Sequence, residues 1–381
     1  MRTRFAGKGC NARCVMRAAT GALRAKPRRL GWPRSMTETA VMLFKPTITK
    51  RGDLARGGIF RYGPAVAALI YPLALVLLHI SGRHLAQANA TDGRVRAGLA
   101  LCLAAALVGS VPALSFAVIL RSDRPIERLL AHVAFAAPPL FTMLGVAFFF
   151  LGVPNGDYVI WAIAWPGILA YAAHAAPDAR ALARPENLVR AVHAAGAALI
   201  ILGFLALHLA NHLVAIRDVA THKEVMLTLR GWYRSSFVQP VLVALLLFQL
   251  LSGAWLLRAK IRQAADVYAS IQTATAGYLL AYIPSHLIAV FLLGRWFLGV
   301  DTDFAWASGA PSGLLLDAWN VRLIPHYSLA VLFVICHAAM GLRAILLGHN
   351  IRAAVADRVA WTLCAIGLVV SFVIAVAQLR D

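Results

Sequence analysis

Residues 97–120 read AGLALCLAAALVGSVPALSFAVIL, with no charged side chain anywhere in the run. Wound as an α-helix, a segment of this kind crosses about 30 Å of hydrocarbon and satisfies its own backbone hydrogen bonds on the way. A membrane β-strand would alternate polar and apolar residues over about ten positions, whereas Leu, Ala and Val here follow one another without alternation. Similar runs recur at 63–82, 129–152, 158–176, 191–215, 237–257, 268–293, 323–346 and 359–378. Clusters of charge, Gly or Pro bound them, as at Arg121-Ser-Asp-Arg-Pro125 and Val153-Pro-Asn-Gly-Asp157. The sequence therefore predicts an all-α fold, a polytopic transmembrane helix bundle of about nine spans.

Composition excludes the alternative of a soluble globular domain. Hydrophobic residues make up 60% of the chain and charged residues only 14%, and the mean hydropathy is +0.72. Water-soluble domains sit far from these values.

The formal charge of +21 is concentrated before Tyr62, in a tail rich in Arg and poor in acids. A nucleic-acid-binding arm would look similar. A basic juxtamembrane segment on the cytoplasmic face accounts for it better, so lipid and not nucleic acid is the expected partner. Met36 is a second candidate start, and residues 1–35 carry no functional weight. With the tail inside, the inner loops hold Arg121, Arg124, Arg128, Arg180, Arg184, Arg190, Arg258, Lys260, Arg262, Arg343, Arg352 and Arg358. The outer segment at 294–322 holds Asp301, Asp303 and Asp317. The expectation is a bacterial cytoplasmic (inner) membrane protein with its N-terminus inside and its C-terminus outside.

The polar stretch Pro177-Asp-Ala-Arg-Ala-Leu-Ala-Arg-Pro185 divides a four-helix part, 63–176, from a five-helix part, 186–381. Histidines of the first part, His79, His84, His132 and His174, share no spacing and read as structural. Cys102, Cys336 and Cys364 fall within spans as small hydrophobes, Cys10 and Cys14 lie in the tail, and no zinc or iron–sulfur spacing occurs.

In the second part the polar residues fall at matching depths. On outward-running spans, His208 rises about 25 Å and His286 about 27 Å from the inner end. On inward-running spans, Gln249 and His337 lie about 18 and 21 Å below the outer end. Each of that second pair has a glycine one turn later, Gly253 and Gly341, where a flat group or another helix can approach. Polar groups at such depths are costly and point to function. Two imidazoles at one level on different helices suit the two axial positions of a haem b, although hydrogen bonding between helices would use them as well.

Taken in order, these residues resemble the cytochrome b membrane anchors of succinate dehydrogenase and fumarate reductase, in their single-chain five-helix form, over 186–381. Arg190, His193, Gly196 and His208-Leu-Ala-Asn-His212 are similar to that family's first helix; Gln272, Thr275, Gly277 and Ser285-His286-Leu287 to its third; His337, Gly341 and Leu342 to its fourth. Its second helix has a ligand His where this chain has Gln249, with Gly253 and Arg258-Ala-Lys260 retained. The resemblance implies one haem b on His208 and His286, and an inner haem that is five-coordinate on His337 or absent. It also implies electron exchange with a membrane quinone and docking of iron–sulfur and flavoprotein subunits on the cytoplasmic face. The four N-terminal helices are outside that family's plan. Catalysis on a soluble substrate is not expected of the chain alone, which has no Gly-rich dinucleotide loop, no cluster-binding Cys set and no paired carboxylates in a span.

Smaller signals complete the reading. His212 is one turn beyond His208 and reads as a hydrogen-bonding neighbour. Arg322, Pro325, His326 and Tyr327 could receive a quinone head group, or anchor the helix at the interface. Trp161, Trp165, Trp232, Trp296 and Trp319 suit an aromatic belt, and Pro284 should disturb the helix next to His286. Two other functions share the histidines: a secondary transporter or channel lined by them, and a cofactor-free scaffold that kept the helices, which Gln249 favours.

Overall fold

The computed structural model describes residues 58–174, 187–263 and 265–380, with only the backbone for 58–60. The basic tail up to residue 57 and the boundary stretch 177–185 lie outside the described residues. The described residues are 84% helical, and no strand occurs among them.

Among the described residues, seven helices are long and apolar enough to cross a membrane. They are α1 (Gly58–Gln87), α2 (Thr91–Arg121), α6 (Asn187–Val214), α8 (Val238–Lys260), α9 (Val267–Phe297), α11 (Leu323–Gly348) and α12 (Ala353–Leu379). The expected span at 129–152 is instead a bent pair, α3 (Pro125–Phe135) and α4 (Ala137–Phe150), meeting at 59°, which makes an eighth if counted as one. The break has a local cause. Pro138 and Pro139 have no N–H to donate back to the carbonyls of Ala134 and Phe135, so the helix stops at Ala136 and restarts. The remaining expected span corresponds to α5 (Gly156–His174), which is not among the seven and carries Asp157, Pro166 and His174. Short α7 (Val219–Tyr233) and α10 (Phe304–Ala307) cover one end of the bundle.

Acidic caps set three starts. Asp218 accepts from the Thr221 N–H at 2.6 Å, Asp266 from Ala269 at 2.8 Å and Asp303 from Trp306 at 3.1 Å. Each satisfies a donor that the first helical turn cannot.

The five C-terminal spans pack in a ring: α6 on α8, α8 on α9, α9 on α11, α11 on α12, and α12 back on the end of α6. Helices α6 and α9 are not packed neighbours, nor are α6 and α11. Side chains on their facing sides meet across the middle of the ring. Outer faces stay apolar and open, as at Leu202, Leu251 and Phe372, 78%, 74% and 68% exposed, which suits contact with lipid.

The four-helix part does not stand apart from this ring. Helices α2, α3 and α4 pack on α9, and α4 also on α11. Phe135 stacks on Phe333 at 4.8 Å and meets Tyr278 edge-on at 6.2 Å. A second core joins Tyr71, Phe141, Trp161 and Trp165, and the Trp161 indole donates to the Ala68 carbonyl at 2.8 Å. Trp161 and Trp165 are thus core residues, 6% and 2% exposed, rather than members of an interfacial belt.

Candidate functional site

His208 and His286 face each other across the ring. Their ring centres are 6.5 Å apart and their planes 63° apart. Each imidazole has an aromatic partner one turn earlier on its own helix: Phe204 stacks on His208 at 5.0 Å and 20°, Tyr282 on His286 at 5.5 Å and 13°. The i, i+4 spacing places each pair on one helix face.

Both helices are irregular where these histidines sit. Residues Ile201–Leu205, just before His208, and Ile288–Phe297, just after His286, are π-helical. Such turns widen a helix locally and are frequent at functional sites. Pro284 lies inside α9 without interrupting it: the segment is regular α-helix from Val267 to Leu287, and the π-helical part begins only at Ile288.

Further rings extend the site in both directions. His212 lies edge-on to His208 at 4.7 Å and is followed by His222 of α7 at 5.7 Å. On the other side, His326 is 4.6 Å from Tyr282, and Tyr327 is edge-on to His286 at 6.2 Å. Nδ1 of His212, of His222 and of His326 is buried without a hydrogen-bond partner. His222 pairs through Nε2 with the Asn211 amide at 3.1 Å. Burial, then the Arg230 charge, holds the His222 pKa below the ordinary histidine value, with Asp303 opposing.

The other proposed pair is arranged differently. Gln249 does not turn toward His337; its Nε2 donates to the His193 carbonyl at 3.0 Å, and its Oε1 is buried without a partner. His337 Nδ1 lies 3.2 Å from the Gln272 carbonyl and 3.3 Å from Thr275 Oγ1. The histidine beside Gln249 is His193, whose Nδ1 is 2.8 Å from Ser252 Oγ. Ser252 spends its own proton on the Phe248 carbonyl at 2.7 Å, so its oxygen accepts from His193. Gly253 borders that ring: a Cβ there would lie 3.4 Å from His193 Cε1, an ordinary van der Waals contact. At Gly341 the nearest group to an added Cβ is the Gln272 amide, at 3.9 Å.

The residues suggested for a quinone head group are deeply buried. Arg322 is 2% exposed and pairs with Asp157 of α5 at 2.7 Å. His326 is 2% exposed and Tyr327 9%. The charge of Arg322 is therefore committed inside the protein, and Phe141 lies beneath its guanidinium at 4.7 Å. Among the described residues no three of His, Cys, Asp and Glu gather as a metal site would require.

The facing pair His208 and His286 remains. A ligating nitrogen sits about 2 Å from its metal and roughly 1 Å from its own ring centre, so imidazoles on opposite sides of one iron have centres about 6 Å apart. The separation of His208 and His286 fits that requirement, and the 63° between their planes is free to differ because each ring turns about its own bond to the metal. Sequence reasoning passed over Phe204 and Tyr282, although aromatic residues four positions before each histidine were a visible signal. Asp157 and the π-helical turns left no such signal.

Comparison with protein-family models, with curated proteins and with solved structures finds no match to this chain.

Proposed function

We propose that the protein is a membrane electron-transfer subunit that holds one haem b between His208 and His286. The observation that carries this is the 6.5 Å separation of two imidazoles on helices that are not packed neighbours. These two residues would be the axial ligands, and the group would supply a one-electron couple inside the membrane. Phe204 and Tyr282 fix the planes of the two imidazoles by stacking on them. The half-buried setting of both histidines among apolar helices limits water and so bears on the potential.

The wider reading follows the resemblance of 186–381 to the succinate dehydrogenase and fumarate reductase anchors. It includes electron exchange with a membrane quinone and docking of iron–sulfur and flavoprotein subunits. It is supported by the order of motifs on four helices, while Gln249, engaged with α6, argues for one haem and not two. Counting the bent pair and α5 with the seven long helices gives about nine spans. An odd count sends the chain ends to opposite sides, and the basic tail favours an inside N-terminus in a bacterial inner membrane.

The test is a reduced-minus-oxidised optical spectrum of protein purified from haem-sufficient cells. A low-spin haem b signal is expected, and a colourless protein would overturn the proposal.

One observation favours a secondary transporter instead. The broken pair α3–α4 carries buried Arg128 and His132, and His132 Nε2 reaches Thr273 of α9 at 3.3 Å. Discontinuous helices with buried ionisable groups line substrate paths in transporters. Proton or solute flux in haem-free proteoliposomes would support that reading over the first.

A further inference from the structure

Three guanidiniums gather where α7 and α9 end. Arg230 closes α7, Arg234 follows it, and Arg295 lies in the last turn of α9. One carboxylate serves them. Arg230 Nη1 holds both oxygens of Asp301, at 2.7 and 2.9 Å, and Arg234 Nη1 is 3.7 Å from the nearer one. Arg295 spends one nitrogen on the neutral Gln239 Oε1 at 3.2 Å. Three positive charges against one negative leave an excess of two.

Hydrogen-bond capacity is also in excess. Arg230 Nη2 donates to the Thr302 carbonyl at 2.7 Å and Arg234 Nη2 to Thr302 Oγ1 at 3.2 Å, while Nε of Arg230, of Arg234 and of Arg295 is buried without a partner. Asp301, by contrast, is 55% exposed, so the cluster opens outward on the carboxylate side. Concentrated guanidinium charge with unused N–H groups is the chemistry that recognises a phosphate, which offers several acceptor oxygens to planar donors.

The surroundings say which phosphate. Trp296 and Phe237 are each 76% exposed and Trp232 is 47% exposed, next in sequence to Arg295 or within a few residues of Arg230 and Arg234. Exposed aromatics at the end of a spanning helix mark the level of lipid head groups. A phosphate at that level belongs to a lipid whose acyl chains lie along α9.

We infer that Arg230, Arg234 and Arg295 form a binding site for the head group of an acidic phospholipid, with Asp301 as the carboxylate that the lipid phosphate competes against. This is independent of the haem proposal, since none of these residues touches His208 or His286. The excess of two positive charges selects net-negative lipids over zwitterionic ones, which carry the same phosphate.

The test is native mass spectrometry of the intact protein released from nanodiscs of mixed phosphatidylglycerol and phosphatidylcholine. Wild type should retain phosphatidylglycerol preferentially, and the double variant Arg234→Gln with Arg295→Gln should lose most of that preference, about tenfold. Asp301→Asn raises the excess charge and should strengthen retention. Because it leaves all three arginines in place, it keeps the test decisive if the double variant does not fold. The inference is overturned if wild type retains both lipids equally, if Asp301→Asn weakens retention, or if inorganic phosphate at millimolar concentration displaces the lipid as well as added phosphatidylglycerol does.

Discussion

Arg322 and Asp157 form a 2.7 Å ion pair whose side chains are 3% and 6% exposed, joining the start of α11 to the start of α5. The pair links the four-helix part to the five-helix ring at one end, while Phe135 and His132 link them nearer the middle. The guanidinium also donates to the Trp319 carbonyl at 3.1 Å. Gly145 is what lets it fit, since a Cβ there would collide with Arg322 Nη1.

Breaking this pair from one side should be costly, because an isolated buried charge remains. Asp157→Asn or Arg322→Met is expected to destabilise the protein by about 3–5 kcal/mol. The double variant should recover a large part of the loss. Thermal melts in detergent of the two single variants and the double variant check this. Strictly additive losses would mean that the two side chains do not interact as described.

A second expectation concerns pH. His222, on α7 outside the spans, has its pKa lowered by burial first and by Arg230 second. In the unfolded chain the ring gains a proton as pH falls through about 6.5, whereas the folded protein resists until a lower pH. The contribution is therefore full above about 6.5 and is lost as pH falls below it. Protonation also removes the Nε2 acceptor that faces the Asn211 amide. The melting temperature of His222→Gln should fall less than that of wild type between about pH 7.5 and 5.5; parallel curves would contradict this.

Gln249→His tests the inner level. If 186–381 follows the proposed resemblance to the di-haem anchors, this change would supply the ligand whose place Gln249 takes. Here the side chain at 249 points to the His193 carbonyl and lies 3.4 Å from where a Gly196 Cβ would be. The variant is expected to show no second low-spin haem signal. A doubled signal in the difference spectrum would show that the side chain can swing to the level of His337.

Much of this was legible in the sequence because lipid is an exacting solvent. Continuous apolar runs fixed the position of seven spans to within a few residues, and the rise per residue brought His208 and His286 to one level before any contact was known. Two things escaped. Apolarity alone does not distinguish a straight span from a broken one, and the Pro138–Pro139 pair that breaks 125–150 sits inside an otherwise unremarkable apolar run. Depth arithmetic also says nothing about azimuth. Gln249 and His337 share a level, yet Gln249 faces α6, where the His193 carbonyl offers an acceptor that no spacing rule reveals. Arg322 likewise looked interfacial by position, because its partner Asp157 lies 165 residues away along the chain.

The central claim is that His208 and His286 together hold one haem b. The most direct measurement is haem content per polypeptide, with the low-spin optical signal, in wild type, His208→Ala, His286→Ala and His337→Ala, each checked for folding by gel filtration. About one haem per chain is expected in wild type and in His337→Ala, with loss of the low-spin signal in the other two. A low-spin haem that survives in both His208→Ala and His286→Ala, or is absent from wild type, would contradict it.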